Sequence, residues 1–288
     1  MKVRVRLFLE ISLLFIFKFI KKNKILKING KSILLPMDHL LPFYKKNFRK
    51  YDEFIVKISE ALPQASVIVD VGSNVGDTLA SIYQESKGFK IYCIEADEKY
   101  YDYLVHNIKS NDLLGVEVSK DYVGIPNSSF SLIKHGSSKR STAGSGIVAK
   151  KISDIFPDIF DNIDSYSLIK IDTDGSDCNV ILGSEDLVKK HPQIFFEAQI
   201  FDKSGLDGYY RALSLIEEVG GYKFVVFDNF GEVLCKTDQV NILQDLLSYL
   251  LVIAEGRAQR TVYYFDIYAY HKDISYVIDP VVDEYCKI

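Results

Sequence analysis

From residue 67 onward, short apolar and β-branched runs alternate with stretches of helical period. Val67 to Val71, Lys90 to Glu95, Gly115 to Ser119, Ser167 to Asp172 and Gln193 to Gln199 read as strands, and helical spacing follows residues 75, 97, 176 and 207. Such alternation predicts a parallel, doubly wound α/β sheet. Near the C-terminus Tyr222 to Asp228 and Thr261 to Tyr270 read as strands around a helical LLSYLLVIAEG, an ending that suits an antiparallel edge strand. Ahead of the sheet, ILKINGKSILL at 25–35 reads as a hairpin about Asn29-Gly30, and residues 50–62 as a helix ended by Pro63. The stretch Gly124 to Gly146 holds seven serines and four glycines without a period, and reads as a long polar loop, either substrate lid or plain surface.

The first apolar run, LFLEISLLFIFKFI at 7–20, is interrupted by Glu10 and Lys18 and is too short to span a bilayer. No small-residue cleavage site follows it. Two readings stay open: a helix packed on the body or in an oligomer, or an interfacial helix whose flanking lysines meet anionic lipid. Charge sharpens the question, because residues 1–50 carry thirteen Lys or Arg against Glu10 and Asp38, a net +11, while the whole chain is at −4. A basic extension over residues 1–62 therefore precedes an acidic body over 63–288.

Composition adds little else. With 288 residues, 48% of them hydrophobic and 26% charged, the chain can bury one large core. Cys93, Cys178, Cys235 and Cys286 are far apart and form no metal-binding spacing, which points to a reducing, cytoplasmic setting and no structural zinc.

The candidate chemistry begins at VIVDVGSNVGDTL, residues 67–79: a strand, a glycine turn and a helix start, where backbone N–H groups meet a ligand. Glu95 ends the next strand 25 positions after Asp70, where a doubly wound fold places an acceptor for ribose hydroxyls. The turn matches neither GxGxxG nor a GxxxxGK[ST] loop. Asp70 would repel a phosphate and attract a cation, which favours S-adenosylmethionine over NAD or ATP.

With DVGSNVG (70–76), IEAD (94–97), LVHNIKSN (104–111), KIDTDGSDCNVILGS (170–184) and IFFEAQ (194–199), the chain resembles the FkbM family of S-adenosylmethionine-dependent methyltransferases over about residues 65–232. The resemblance implies a Rossmann-like, seven-stranded methyltransferase sheet, mostly parallel with an antiparallel last strand. It implies that Asp70, Gly72, Ser73, Asn74 and Gly76 surround the amino-acid part of the cofactor, that Glu95 takes the ribose, and that Asp121 and Tyr122, with Lys120, lie beside the adenine. Ala96, Asp174 and Ser176 stand where the family more often has Pro, Glu and Ala.

A sugar hydroxyl needs a base for methyl transfer, and the ends of the fourth and fifth strands offer Lys170, Asp172, Asp174, Glu197 and Gln199. Asp172 leads as base or positioning group, Glu197 is second, and Lys170 pairs with Asp172 or contacts the acceptor. The plainer alternative is that Asp172 and Asp174 cap the following helix. A divalent cation on Asp172, Asp174 and Glu197 lacks a recognised cage spacing, so no metal is expected, and His135 reads as solvated. The expected activity is O-methylation of a saccharide or glycan precursor, with a non-catalytic scaffold of a glycan-assembly system as the alternative. The acidic body and the lack of an NPPY-type motif argue against nucleic acid. A homo-oligomer is left open. The basic segment suits a lipid-linked or anionic glycan and peripheral membrane contact through residues 1–27. If that contact exists, deleting residues 1–24 lowers recovery of the protein with membranes at low salt; unchanged recovery excludes it.

Overall fold

The computed structural model describes residues 22–135, 138–143, 146–259 and 261–287, with backbone only over 129–143. The apolar segment at 7–20 lies outside them. Asn29 and Gly30 both adopt positive φ, 45° and 78°, as a tight hairpin requires, and join β1 (Asn23–Ile28) to antiparallel β2 (Lys31–Pro36). Two helices follow, Leu41–Asn47 and Glu53–Ala61.

The central sheet is built from β3 (Val67–Val71), β4 (Lys90–Ile94) and β5 (Val116–Ser119), followed later in the chain by β9 (Leu168–Ile171) and β10 (Gln193–Ala198), all parallel. Between these groups lie β6 (Ser129–His135), β7 (Ser138–Ala143) and β8 (Ile147–Val148). After them come β11 (Tyr222–Asp228), β12 (Val233–Thr237) and β13 (Phe265–His271). The sheet has eight strands in the order β12-β11-β13-β10-β9-β3-β4-β5. The chain adds strands outward from β3 through β4 to β5 and then returns to β9 on the other side of β3, so the crevice at the carboxyl ends of β3 and β9 is the topological switch point.

Alternation along the strands divides the core. Val67, Val69, Val71, Ile169 and Ile171 face the helices Asp177–Gly183, Lys203–Val219 and Val240–Ala254. Ile68, Leu168, Val225 and Tyr268 face Phe54, Ile55 and Ile58 of one helix and Ile278, Val282 and Tyr285 of the C-terminal helix Ser275–Tyr285. Asp70 and Lys170 fall on this second side, next to one another in the β3–β9 register.

Three expectations change. The sheet has eight strands rather than seven, because β12 adds an antiparallel edge to β11 through a short turn. The serine-rich stretch is not a loop: β6, β7 and β8 form a separate antiparallel sheet, satisfied by its own backbone bonds although it lacks apolar period. The last strand starts at Phe265, not Thr261.

The extension packs directly on the body. Ile28, Ile33, Leu35 and Leu41 form a third apolar cluster with Val75, Ala80 and Tyr100. Asn107, 1% exposed, stitches the parts together. Its Nδ2 donates to Leu34 O at 2.9 Å and Val75 O at 2.8 Å, while its Oδ1 accepts from Leu34 N at 2.8 Å. Asn107→Ala leaves those buried backbone groups unpaired and should cost about 2–3 kcal/mol by denaturant unfolding. Amide exchange at Leu34 should accelerate with it, and unchanged exchange there would refute the stitch.

Candidate active site

The glycine turn is held from three sides. Gly72 and Ser73 donate their N–H groups to Ile94 O at 2.9 and 3.1 Å, Ser73 Oγ donates to Asp70 O at 2.6 Å, and Gly76 N donates to Ser73 O at 2.8 Å. Gly72 has φ +82°, and a Cβ there would lie 1.8 Å from the carbonyl oxygen of Asp172. Only bare backbone permits the end of β9 to close on the turn. Asn74 is also left-handed, at φ 49°.

Glu95 braces the turn: Oε2 accepts from Asn74 N at 2.8 Å and Oε1 from Asp97 N at 2.7 Å. Each oxygen keeps acceptor capacity for a hydroxyl beyond the N–H it takes. Burial pushes the Glu95 carboxyl up to about 7, against the two N–H bonds and with help from the charges of Asp97 and Asp70. At the end of β5, Asp121 accepts from Ser119 Oγ at 2.7 Å and meets Lys150 Nζ at 2.7 Å. Its partial burial acts upward, but Lys150 and Ser119 together hold its pKa below the ordinary range. Tyr122 beside it is buried.

Asp70 has no exposed surface. It sits beneath the turn, so it supports the cradle and does not line it. Lys170 Nζ lies 3.2 Å from Asp70 Oδ1 and 3.3 Å from Asp172 Oδ2. The Asp70 contact is one of charge, since neither of its oxygens takes a well-directed hydrogen bond. Burial acts to discharge Lys170, but Asp70, Asp172, Asp77 and Asp52 outweigh it and hold its pKa well above the ordinary value. Lys170 therefore pairs as expected, with one more carboxylate than the sequence suggested.

The helix Asp177–Gly183 starts after Ser176 without a side-chain cap. Instead Asp177, fully buried, accepts from Thr173 N at 3.0 Å, Thr173 Oγ1 at 2.6 Å and Glu197 N at 2.9 Å. It ties the end of β9 to β10, and burial pushes its carboxyl up to about 7. A helical aspartate one position past a cap carries no sequence signal for this role.

Beside the Gly72–Asp172 junction opens a cavity of about 50 Å³, lined by Asp172, Glu197 and Asp266 from the strand ends, by Tyr51 and Asp52 from the extension, and by Tyr264. Glu197 and Asp266 are cross-strand partners. Both are pushed well above the carboxylate range, first by burial and then by neighbouring acids. Burial likewise raises Asp52 to about 6. Asp52, Asp266 and Tyr51 escaped the sequence reading, because they come from segments far from the motif blocks.

Asp172, Asp174 and Glu197 do not bring their ligand atoms together as a metal-like group. Among the described residues, the one metal-like group is His191, His271 and Asp273, with ligand atoms within 4.8 Å. It lies at the opposite end of the strands, where β10 begins and β13 finishes. Its two rings stack at 4.1 Å and 21°, so their in-plane lone pairs run side by side and do not meet at a point. The side chain of His135 lies outside the described residues.

The family model described as the methyltransferase FkbM domain matches residues 70–224, more than half of the chain. The chain belongs to the FkbM methyltransferase family. No curated protein matches it. Similar solved structures include an O-methyltransferase from Bacillus cereus in complex with SAH, 16% identical, covering 77% of this chain and 80% of that one, with a TM-score of 0.42. Another is P. horikoshii TYW2 in complex with MeSAdo, 11% identical, covering 87% and 72%, with a TM-score of 0.44. A third is a precorrin-6y C5,15-methyltransferase from Geobacter metallireducens GS-15, 13% identical, covering 76% and 86%, with a TM-score of 0.39. As an FkbM methyltransferase the protein uses S-adenosylmethionine. The spare acceptor capacity of Glu95 fits that cofactor. No helix among the described residues is long and apolar enough to cross a membrane.

Glu95 and Asp177, each raised to about 7, and Asp52, raised to about 6, make this FkbM methyltransferase pH-sensitive. Between the ordinary carboxylate pKa and about 7 the folded state binds protons that the unfolded chain releases, so stability falls as pH rises through that window and levels off above it. The ligand-free protein should melt higher near pH 6 than near pH 8. The opposite order would contradict these assignments.

Proposed function

We propose that this FkbM methyltransferase is an O-methyltransferase acting on a hydroxyl of a saccharide or glycan precursor. The observation that carries the reading is the carboxylate-walled cavity beside the Gly72–Asp172 junction. Carboxyl groups accept hydrogen bonds from hydroxyls, and the aromatic rings of Tyr51 and Tyr264 cover the apolar faces of a small polar acceptor. The two lysines at this cavity are already paired, Lys50 with Glu232 at 2.7 Å and Lys170 with Asp70 and Asp172. A neutral polyol therefore suits the cavity, and an anionic group at the reacting end does not.

In this reading Gly72, Ser73, Asn74 and Gly76 cradle the amino-acid part of the cofactor above Asp70, Glu95 accepts from the ribose, and Asp121 and Tyr122 flank the adenine. S-adenosylmethionine supplies a methyl carbon on a sulfonium, which an acceptor oxygen displaces in line. Asp172 takes the hydroxyl proton as that oxygen attacks. Lys170, 3.3 Å away, holds the Asp172 carboxylate in place. Glu197 and Asp266, both pushed well above the ordinary carboxylate value by burial first and by neighbouring acids next, lean towards their protonated forms and face the acceptor as hydrogen-bonding groups.

Release of S-adenosylhomocysteine on incubation with a panel of neutral saccharides tests the acceptor class. Asp172→Asn should lower kcat by about a hundredfold or more while leaving cofactor affinity within about threefold. Turnover with amines and not with sugars would replace the substrate class, and an unaffected kcat in Asp172→Asn would remove Asp172 as the base.

A further inference from the structure

The residues matched by the family domain start at 70, yet a side chain from the extension reaches into the turn. His39 Nε2 lies 3.1 Å from Asn74 Oδ1, and His39 Nδ1 accepts from Leu41 N at 3.2 Å. A ring nitrogen that accepts a backbone N–H cannot carry a proton in the neutral ring, so Nε2 carries it and donates to Asn74. Burial drives the ring pKa down to about 4, helped by the charges of Lys24 and Lys99 and opposed by the Asn74 bond and Asp38, so the ring is neutral at physiological pH. Asn74 is thereby held at the oxygen end of its amide. Its backbone N–H is held by Glu95 Oε2 at 2.8 Å, in a left-handed conformation with φ 49°. Its Nδ2 donates to no partner among the described residues, and the residue is half-buried. Leu41, His39, Asn74 and Glu95 thus form one line of hydrogen bonds from the extension to the ribose-facing carboxylate.

We infer that His39 is a positioning residue of the cofactor site: it locks the Asn74 amide so that Nδ2 is the turn's free donor for the carboxylate of the cofactor's amino-acid end. This rests on the turn being the S-adenosylmethionine cradle. The extension is then a working part of the site, and its docking through Leu35, Leu41, Val75 and Tyr100 is coupled to cofactor affinity.

Calorimetric titration of the full chain with S-adenosylhomocysteine tests the inference. His39→Ala should weaken binding about tenfold, the scale of one lost hydrogen bond at a buried polar group. His39→Gln, whose side-chain amide reaches the Nε2 position and can donate to Asn74 Oδ1, should recover to within about threefold. Asn74→Asp, which keeps the acceptor for His39 but removes the Nδ2 donor, should lose at least as much as His39→Ala. Wild-type affinity in His39→Ala or in Asn74→Asp overturns the inference, as does equal weakening in the Ala and Gln variants, which would make His39 only a packing residue. If His39→Ala does not fold, the Gln and Asp variants still decide. Failure of the wild type to bind would instead strike the cradle assignment itself.

Discussion

A lysine ammonium enclosed between two carboxylates is the constraint on which the site depends. Removing Lys170 and Asp70 from water is costly, and the arrangement persists because their charges lie 3.2 Å apart and Asp172 adds a second contact at 3.3 Å. The β3–β9 register places Asp70 and Lys170 side by side. Holding Asp172 in place brings its carbonyl against the turn, and that approach in turn requires a residue without Cβ at position 72. The ion pair and the glycine are two sides of one fit.

The same fit explains why acid accumulates on one side of the crevice. Lys170 is surrounded by Asp52, Asp70, Asp77 and Asp172, more negative charge than one ammonium neutralises. The excess appears as carboxyls whose pKa values are pushed well above the ordinary value, Glu197 and Asp266 foremost, and burial is the first cause in both. A wall of this kind offers both acceptors and donors to a hydroxyl while opposing negative charge.

The extension turns the cradle from an open turn into an enclosed one. Asn107 bonds to both Leu34 and Val75, apolar residues of the hairpin cover the helix start, and Tyr51 and Asp52 close the cavity. These contacts converge on the glycine turn, whose packing therefore draws on both the family domain and the segment ahead of it. Asp177 performs the corresponding service on the far side, bracing β10 against the end of β9.

The amino-acid sequence alone determined the parallel core, the glycine turn, the position of Glu95 and the candidate acids at the strand ends. Those features are local: an apolar run, a β-branched strand or a glycine pair declares itself within a few residues. It did not reveal β12, which is a short half-buried edge, or the β6–β8 sheet, whose serine-rich strands lack the alternation that marks a core-facing strand. Nor did it show that Asp70 is enclosed and paired with Lys170, that Asp177 braces two strands, or that Asp266 and Asp52 meet Glu197 at one cavity. Each of these depends on which residues from distant segments share the same space, and so on the desolvation and charge coupling that only packing creates. The motif blocks identify the family and its cofactor. The tertiary structure decided which carboxyl pKa values are raised, which lysine is already occupied, and which side chain of the extension reaches the turn.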